Sequence, residues 1–180
     1  MMIWRRLLII VLVQFIYSKN SGHQIKVDFS GEDRDLTSIN WNSTSIDFST
    51  VNVVAFDAGY IEIQDLVVIS ELSANSPIKI TATHGGWSTL PTGYTGDKTS
   101  STGDVQIKVD NLASGFYVYS GSNFGNDFTT ISNNGSDHII ETIGTVSNLT
   151  ADINARVLLD WSSDIAGNYV LSLNFTVTNY

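Results

Sequence analysis

The sequence contains no cysteine and only two prolines among its 180 residues. The absence of cysteine excludes disulfides, cysteine nucleophiles, iron–sulfur clusters and zinc sites built on thiolates. Basic side chains are also scarce, since 9 Lys and Arg residues stand against 18 Asp and Glu residues, for a net charge of −9. An acidic surface of this kind repels nucleic acid and anionic lipid, so neither is expected as a partner.

Long hydrophobic runs are absent except at the N-terminus. There Arg5 and Arg6 precede a short apolar stretch that gives way to polar residues from Ser18. This form is typical of a secretory signal peptide, whereas a membrane-spanning helix needs about 20 apolar residues. We therefore predict that Met1–Ser18 is a signal peptide, with an uncleaved anchor as the alternative. Residues 19–180 are then a single domain, secreted to the extracellular space or the cell surface and without a membrane span.

Removal of the signal peptide leaves 7 basic side chains against 18 acidic ones, which gives a net charge of −11. An exported domain without disulfides depends on its core and its strand ladders, and about 160 residues are enough for such a core. The remaining sequence is rich in Ser, Thr, Asn, Asp, Gly, Val and Ile, which form strands and turns. The composition therefore favours an all-β domain.

Apolar and polar residues alternate most clearly near the C-terminus. Residues 153–161 and 169–177 place apolar side chains at almost every second position, and a turn-rich segment separates them. This period of two predicts a β-hairpin of about 25 residues. Shorter strands are predicted at Gln24–Phe29, around Ile46 and Phe48, and at Tyr60–Ile63, Val67–Leu72, Ile78–Thr83, Val105–Val109, Phe116–Tyr119 and Ile139–Ile143.

Roughly eight to ten short strands separated by turns indicate a two-layer sandwich or a barrel. The connections vary in length, as Greek-key crossings do. We therefore predict a single antiparallel β-sandwich that is immunoglobulin-like with Greek-key connections.

One segment has the composition of a ligand-binding loop. Thr83–Lys98 is glycine-rich and is expected to be a long loop bearing Trp87, Tyr94 and Asp97. Aromatic rings stack on the apolar face of a sugar while a carboxylate accepts its hydroxyl protons, so a glycan is a possible ligand. The alternative is that Trp87 and Tyr94 fill the end of the sandwich and the glycines form turns.

Catalytic and metal chemistry have weaker signals. The acidic segment Ser30–Asp35 offers oxygens to calcium, but it does not match an EF-hand loop and contains Arg34, so a solvated turn is the preferred interpretation. The three histidines fit no metal motif, and no Gly-x-Ser-x-Gly elbow occurs. Paired carboxylates that meet only in the fold leave a small hydrolase as a third interpretation. We expect no enzyme activity, no cofactor and no bound metal.

Several strand endings resemble those of bacterial surface proteins. Ala155–Trp161, Ala166–Tyr169 and Leu173–Thr178 are similar to the closing strands of immunoglobulin-like surface and fimbrial-subunit domains, and Ser45–Val51 with Ile78–Thr83 is similar to their early strands. The named groups that the chain resembles are the spore-coat-U-type pilus subunits and the WxL cell-wall-binding proteins.

The chain departs from both groups. It lacks the cysteines that are usual in the pilus subunits, and it has Asn174–Val177 where a Trp-x-Leu motif would stand. What the resemblance implies is a noncatalytic extracellular module, such as a cell-surface, fimbrial or filament subunit.

The N-terminal strand suggests how such a module assembles. Ile25, Val27 and Phe29 alternate with polar residues, and a polar turn follows. The strand pairs either within its own sandwich or at the sheet edge of a neighbouring subunit, where it would complete the neighbour's sheet. The expected partners are therefore further copies or other surface subunits, and the alternative is a carbohydrate-binding or adhesin module.

Overall fold

The computed structural model describes residues 22–31, 36–43, 46–48, 53–98, 104–133, 135–165 and 167–179. The predicted signal peptide Met1–Ser18 lies outside them. The elements are β1 (Gly22–Gly31), β2 (Leu36–Ser43), β3 (Ile46–Phe48), α1 (Val53–Ala58), β4 (Tyr60–Ala74), β5 (Ile78–Thr89), β6 (Val105–Asp110), β7 (Phe116–Val118), β8 (Thr129–Thr130), β9 (Asp137–Thr142), β10 (Val146–Leu158) and β11 (Asn168–Asn179). Within these ranges no helix has the length and apolar character needed to cross a membrane.

The strands form two sheets, and the predicted all-β sandwich is confirmed. Sheet A has the order β3-β1-β11-β5-β9-β7, and sheet B has the order β2-β4-β10-β6-β8. All odd-numbered strands therefore lie in sheet A and all even-numbered strands in sheet B. Each connection between successive strands crosses from one sheet to the other.

The pairing pattern is that of a jelly roll, a Greek-key sandwich wound from a folded ribbon. Outwards from the middle of the chain, β6 pairs with β8, β5 with β9 and β4 with β10, all antiparallel. An immunoglobulin domain differs, because several of its successive strands are neighbours in one sheet. Among the strands described here, no two successive ones pair with each other.

This winding overturns the predicted C-terminal hairpin. Both segments are strands, but β10 pairs with β4 and β6, whereas β11 pairs with β1 and β5. Neither strand has a free edge for the other. The connection 159–167 instead carries the chain from sheet B to sheet A. The apolar faces of β10 and β11 therefore both point into the core from opposite sheets.

The strand β1 is the exception to antiparallel pairing. It runs parallel to β11 over 10 residues, from Gly22 opposite Asn168 to Gly31 opposite Val177. Its other edge pairs with β3 in the antiparallel sense. The ribbon winding would next pair β3 with β11, which run antiparallel to each other, but β1 lies between them. β1 is therefore an added strand, outside the nested pairs of the winding.

The core lies between the sheets and is built from the alternating positions. On β11 every apolar residue of the predicted face is completely buried: Tyr169, Leu171, Leu173, Phe175 and Val177. The predicted strands Tyr60–Ile63 and Val67–Leu72 join into the single strand β4. Its alternation breaks at Asp65 and Glu71, which have positive φ angles of 53° and 57°. Irregular register with β10 accompanies these breaks, as at β-bulges.

Three elements were not predicted from the sequence. These are β2, the two-residue strand β8 and the six-residue helix α1. The helix covers one end of the sandwich, where Phe56 packs against Trp161 with 4.7 Å between ring centroids. The Trp161 indole N–H also donates to Asp57 Oδ1 at 3.2 Å.

Candidate functional site

The predicted ligand loop is shorter than expected, because β5 continues through Thr89. Trp87 therefore lies in a strand, and only residues 90–98 of the predicted loop connect strands. The Trp87 side chain is 6% exposed and belongs to the main core cluster. Its ring meets the Tyr169 ring edge-on, at 6.0 Å and 80°. In this arrangement the indole is a core side chain and offers no open face on which a sugar ring could stack.

Tyr94 and Asp97 lie at the same end of the sandwich but in different surroundings. Tyr94 is half-buried and also meets Tyr169 edge-on, at 5.7 Å and 89°. Asp97 is exposed, and its Oδ1 accepts a hydrogen bond from Ser163 Oγ at 3.1 Å. Tyr94 thus connects to Trp87 through Tyr169, and its hydroxyl donates to Oδ1 of Asp97, at the exposed rim, at 3.3 Å. The geometry matches the alternative interpretation, in which the aromatic rings fill the end of the sandwich.

A buried ion pair lies beside these rings. Lys98 Nζ is 2.6 Å from Asp164 Oδ2 and 2.7 Å from Oδ1, and the side chains are 1% and 0% exposed. The Asp160 backbone N–H donates to Asp164 Oδ2 at 2.9 Å. We call Trp87, Tyr94, Lys98, Asp164 and Tyr169 the end cluster.

The phenol groups of the end cluster stay protonated at neutral pH. Burial raises the pKa of Tyr94 to about 12, and the nearby Asp164 carboxylate acts in the same direction. The pKa of Tyr169 is raised too, chiefly by burial. The Tyr169 hydroxyl donates to the Ile165 carbonyl at 2.8 Å. The Tyr94 oxygen accepts the Lys98 backbone N–H at 2.9 Å and lies 3.4 Å from Asp164 Oδ1.

Of the end cluster, only Tyr94 and Trp87 were predicted from the sequence as candidate site residues. Lys98 and Asp164 are 66 residues apart in polar, turn-rich segments, where charged residues are normally solvated. Tyr169 was predicted only as one apolar position in an alternating strand. The pairing becomes visible only when the connections β5–β6 and β10–β11 are brought to the same end of the fold.

The proposed assembly residues lie on β1, which is paired within the chain. Ile25, Val27 and Phe29 are opposite Leu171, Leu173 and Phe175 of β11. These three β11 residues are fully buried core residues. The register therefore places the alternating positions of β1 beside the core-facing positions of β11.

The outer face of sheet A carries a second group of aromatic and charged side chains near its β7 edge. Tyr117 is 48% exposed and lies opposite Glu141 on the neighbouring strand. His138 stacks on Tyr119 with 4.1 Å between ring centroids, and its Nε2 is 3.5 Å from Glu141 Oε2. Burial lowers the pKa of His138, and the Glu141 carboxylate acts in the opposite direction. We call Tyr117, Tyr119, His138 and Glu141 the outer-face cluster.

A shallow pocket adjoins the outer-face cluster. Its volume is about 220 Å³, and it is lined by Pro77, Glu141, Thr142 and Ile143. Ile143 is largely exposed at the rim. The pocket thus combines apolar surface with the Glu141 carboxylate.

The remaining histidine with a described side chain, His84, lies in the core. It is buried on β5, and its Nδ1 accepts the Gly86 N–H at 3.1 Å. Burial lowers the pKa of His84. Across the described part of the chain, no group of three or more His, Asp or Glu side chains is placed to hold a metal ion. Most of the acidic segment Ser30–Asp35 lies outside the described residues.

Comparison with known proteins adds no relative to this picture. No family model matches the sequence, and no curated protein matches it significantly.

Proposed function

We propose that the chain is a noncatalytic structural module of an extracellular or cell-surface assembly, of the kind that forms fimbriae or filaments. Copies associate when β1 of one molecule takes the place of β1 in the next. The observation that carries the proposal is the position of β1, an added parallel strand between β3 and β11.

Exchange of β1 conserves the contacts that it makes within the chain. When β1 leaves, the edge of β11 presents unpaired backbone N–H and C=O groups beside buried apolar positions. Such an edge is a template for another strand. A second copy supplies the same ten-residue strand in the same register, so the free energy lost in one molecule is recovered between two. Each molecule donates one β1 strand and accepts another at the edge of its β11. This arrangement permits either a closed dimer or an open chain of molecules.

The first test is the size of the particles formed by residues 19–180, measured by light scattering after size exclusion and by negative-stain microscopy. We expect ordered oligomers or filaments. A chain that begins after Ser30 lacks β1 and should not form them. Identical polymers from both chains would contradict the proposal.

A disulfide between two chains tests whether β1 pairs with β11 of another molecule. The protein has no cysteine of its own, so only the introduced cysteines can form it. Lys26 lies opposite Ser172 in the β1–β11 ladder. Adjacent strands are about 4.8 Å apart, which suits a disulfide. Two differently tagged chains, one with Lys26→Cys and one with Ser172→Cys, should form a mixed disulfide dimer under mild oxidation.

The matched control uses two strands that the proposal leaves in place. Thr81 lies opposite Thr176 in the β5–β11 ladder. Chains with Thr81→Cys and Thr176→Cys should give no mixed dimer above the background of random collision. If the β1–β11 pair gives no more mixed dimer than this control, β1 does not exchange.

A synthetic peptide with the sequence of Gly22–Gly31 provides a further test. It should bind the chain that begins after Ser30 and protect the β11 amides from hydrogen exchange. A peptide with Ile25→Asp and Val27→Asp is the control, since its charges would face the apolar positions of β11. Equal binding of both peptides would contradict the expected register.

The outer-face cluster supports a second candidate function, a carbohydrate-binding or adhesin module. The specific observation is the exposed Tyr117 ring next to Glu141 and the adjoining pocket. An exposed ring offers a stacking surface, and the carboxylate accepts hydroxyl protons. Tyr117→Ala should abolish binding to a glycan array while stability falls by less than about 1 kcal/mol, with Val54→Ala, at an exposed position of α1, as the control. Absence of binding by the unaltered domain to arrays and to insoluble polysaccharides would exclude this function.

A further inference from the structure

The Lys98–Asp164 pair combines close contact with exclusion of water. Both carboxylate oxygens lie within 2.7 Å of Nζ, and both side chains are buried. Transfer of two charges from water to a buried site costs free energy that their attraction commonly does not repay. A neutral product formed from the same two groups would remove this cost.

We propose that Lys98 and Asp164 condense into an intramolecular isopeptide bond in the folded protein. The Lys98 nitrogen attacks Cγ of Asp164, an N–C bond forms and the bond from Cγ to Oδ1 breaks. One of the three hydrogens of the ammonium group stays on the amide nitrogen, and two leave with Oδ1 as water. The reaction consumes no oxidant, reductant or nucleotide.

The fold supplies the conditions that this condensation needs. The amine and the carboxyl group are held in contact, which replaces a bimolecular encounter by an intramolecular step. The attack needs a neutral amine, which forms when one ammonium proton passes to the carboxylate, and burial favours this step because it replaces two charges by none. Exclusion of bulk water also disfavours the reverse reaction, hydrolysis.

Two neighbouring groups are placed to assist at the two oxygens. The Asp160 N–H donates to Oδ2 at 2.9 Å, where it would stabilise negative charge in a tetrahedral intermediate. The Tyr94 hydroxyl lies 3.4 Å from Asp164 Oδ1 and 3.3 Å from Asp97 Oδ1. Turned towards Asp164, it would donate a proton to the departing oxygen and take up in exchange one of the two hydrogens that the Lys98 nitrogen loses, so the phenol is regenerated. Its proton is retained at neutral pH, because burial raises the pKa of Tyr94. Tyr94 is thus assigned to the leaving oxygen and Asp160 to the oxygen that stays.

The bond would join two connections that are distant in sequence. Lys98 lies between β5 and β6, and Asp164 lies between β10 and β11. A covalent link there joins two residues 66 positions apart in a sequence that has no cysteine for a disulfide.

The test is the intact mass of residues 19–180, purified in the folded state. We expect a mass lower by one water molecule than that of the sequence, and a branched peptide after trypsin digestion that joins the segments containing Lys98 and Asp164. A full mass after prolonged incubation of the folded protein at neutral pH would overturn the proposal.

Three variants locate the reaction. Lys98→Arg keeps the positive charge opposite Asp164, but its guanidinium group is a poor nucleophile, so we expect the full mass with a native circular dichroism spectrum. Asp164→Ala should also show the full mass. Tyr94→Phe keeps the ion pair and removes only the hydroxyl, so conversion should be slower. A loss of water that persists in Lys98→Arg would overturn the proposal, because the water would then come from another site, as in succinimide formation.

Discussion

Truncation of Trp87 to alanine is the substitution that best separates a core role from a ligand-binding role for this ring. The side chain is 6% exposed, and it meets Tyr169 edge-on at 6.0 Å. Truncation of a buried Trp to Ala typically costs about 3–5 kcal/mol, of which an edge-on aromatic contact provides about 0.5–1.5 kcal/mol. Because a domain is stable by only about 5–15 kcal/mol, the change should remove a large part of the total.

The assay is urea unfolding of the Trp87→Ala variant, followed by far-ultraviolet circular dichroism. The midpoint should fall while the slope of free energy against urea stays the same, since the surface exposed on unfolding changes little. Tyr117→Ala is the aromatic control, and its half-exposed ring should cost less than about 1 kcal/mol. A loss below about 1 kcal/mol in Trp87→Ala would refute the core assignment. If Trp87→Ala kept its stability but lost glycan binding, Trp87 would belong to a ligand-binding loop.

Three further predictions concern local features of the sheets. Burial lowers the pKa of His84 below its usual 6.5, so on acidification the unfolded chain takes up a proton before the folded chain does. The free energy of unfolding should therefore fall as the pH drops from about 7 to 5. The variant His84→Asn should show a smaller fall in urea melts over the same pH range. Gly167 has φ of +153° and a Cβ there would overlap Pro91, so Gly167→Ala should cost about 1–3 kcal/mol in the same melts. Gly85→Ala meets nothing within 4 Å and is the matched control, so equal losses in both would contradict the packing argument. Glu71 is exposed with φ of 57°, where a residue with a Cβ costs about 1–2 kcal/mol relative to glycine, so Glu71→Gly should not lose stability on thermal or urea unfolding whereas Glu71→Val, which is branched at Cβ, should lose it, and the reverse order would refute a left-handed backbone there.

Alternation of apolar residues located most of the strands, because a strand with one face in the core has a period of two. The segments 169–177 and 105–109 illustrate this, since their apolar positions are buried as expected. Where the alternation of apolar residues was interrupted, two short strands were predicted although the structure has one continuous strand. In β4 the left-handed residues Asp65 and Glu71 shift the alternation without ending the strand.

The alternation of apolar residues does not indicate which strands pair with each other. Two alternating segments separated by a turn-rich connection fit a hairpin and a crossing between sheets equally well. The parallel pairing of β1 with β11 joins the two ends of the described chain, so no local pattern indicates it.

The end cluster illustrates the same limit at the level of side chains. Trp87 lies in a glycine-rich segment, and its burial depends on Tyr169, a residue 82 positions away that the winding brings next to it. The polar surroundings of Lys98 and Asp164 in the sequence suggest solvated charges, whereas the fold buries both. Sequence patterns predicted which residues form strands, but burial of individual polar groups depends on which connections meet at one end of the sandwich.

Strand exchange and the proposed isopeptide bond involve strands that pair with opposite edges of β11. We therefore expect the two processes to be independent. β1 pairs with one edge of β11, while β5, which leads into the connection that contains Lys98, pairs with the other. Lys98→Arg should therefore leave unchanged the yield of mixed disulfide between chains with Lys26→Cys and Ser172→Cys, even though it removes the proposed isopeptide bond. A lower yield from a Lys98→Arg protein with a native circular dichroism spectrum would show that the end cluster influences strand exchange. An unchanged yield would show that strand exchange at the β1 edge of β11 does not depend on the Lys98 side chain.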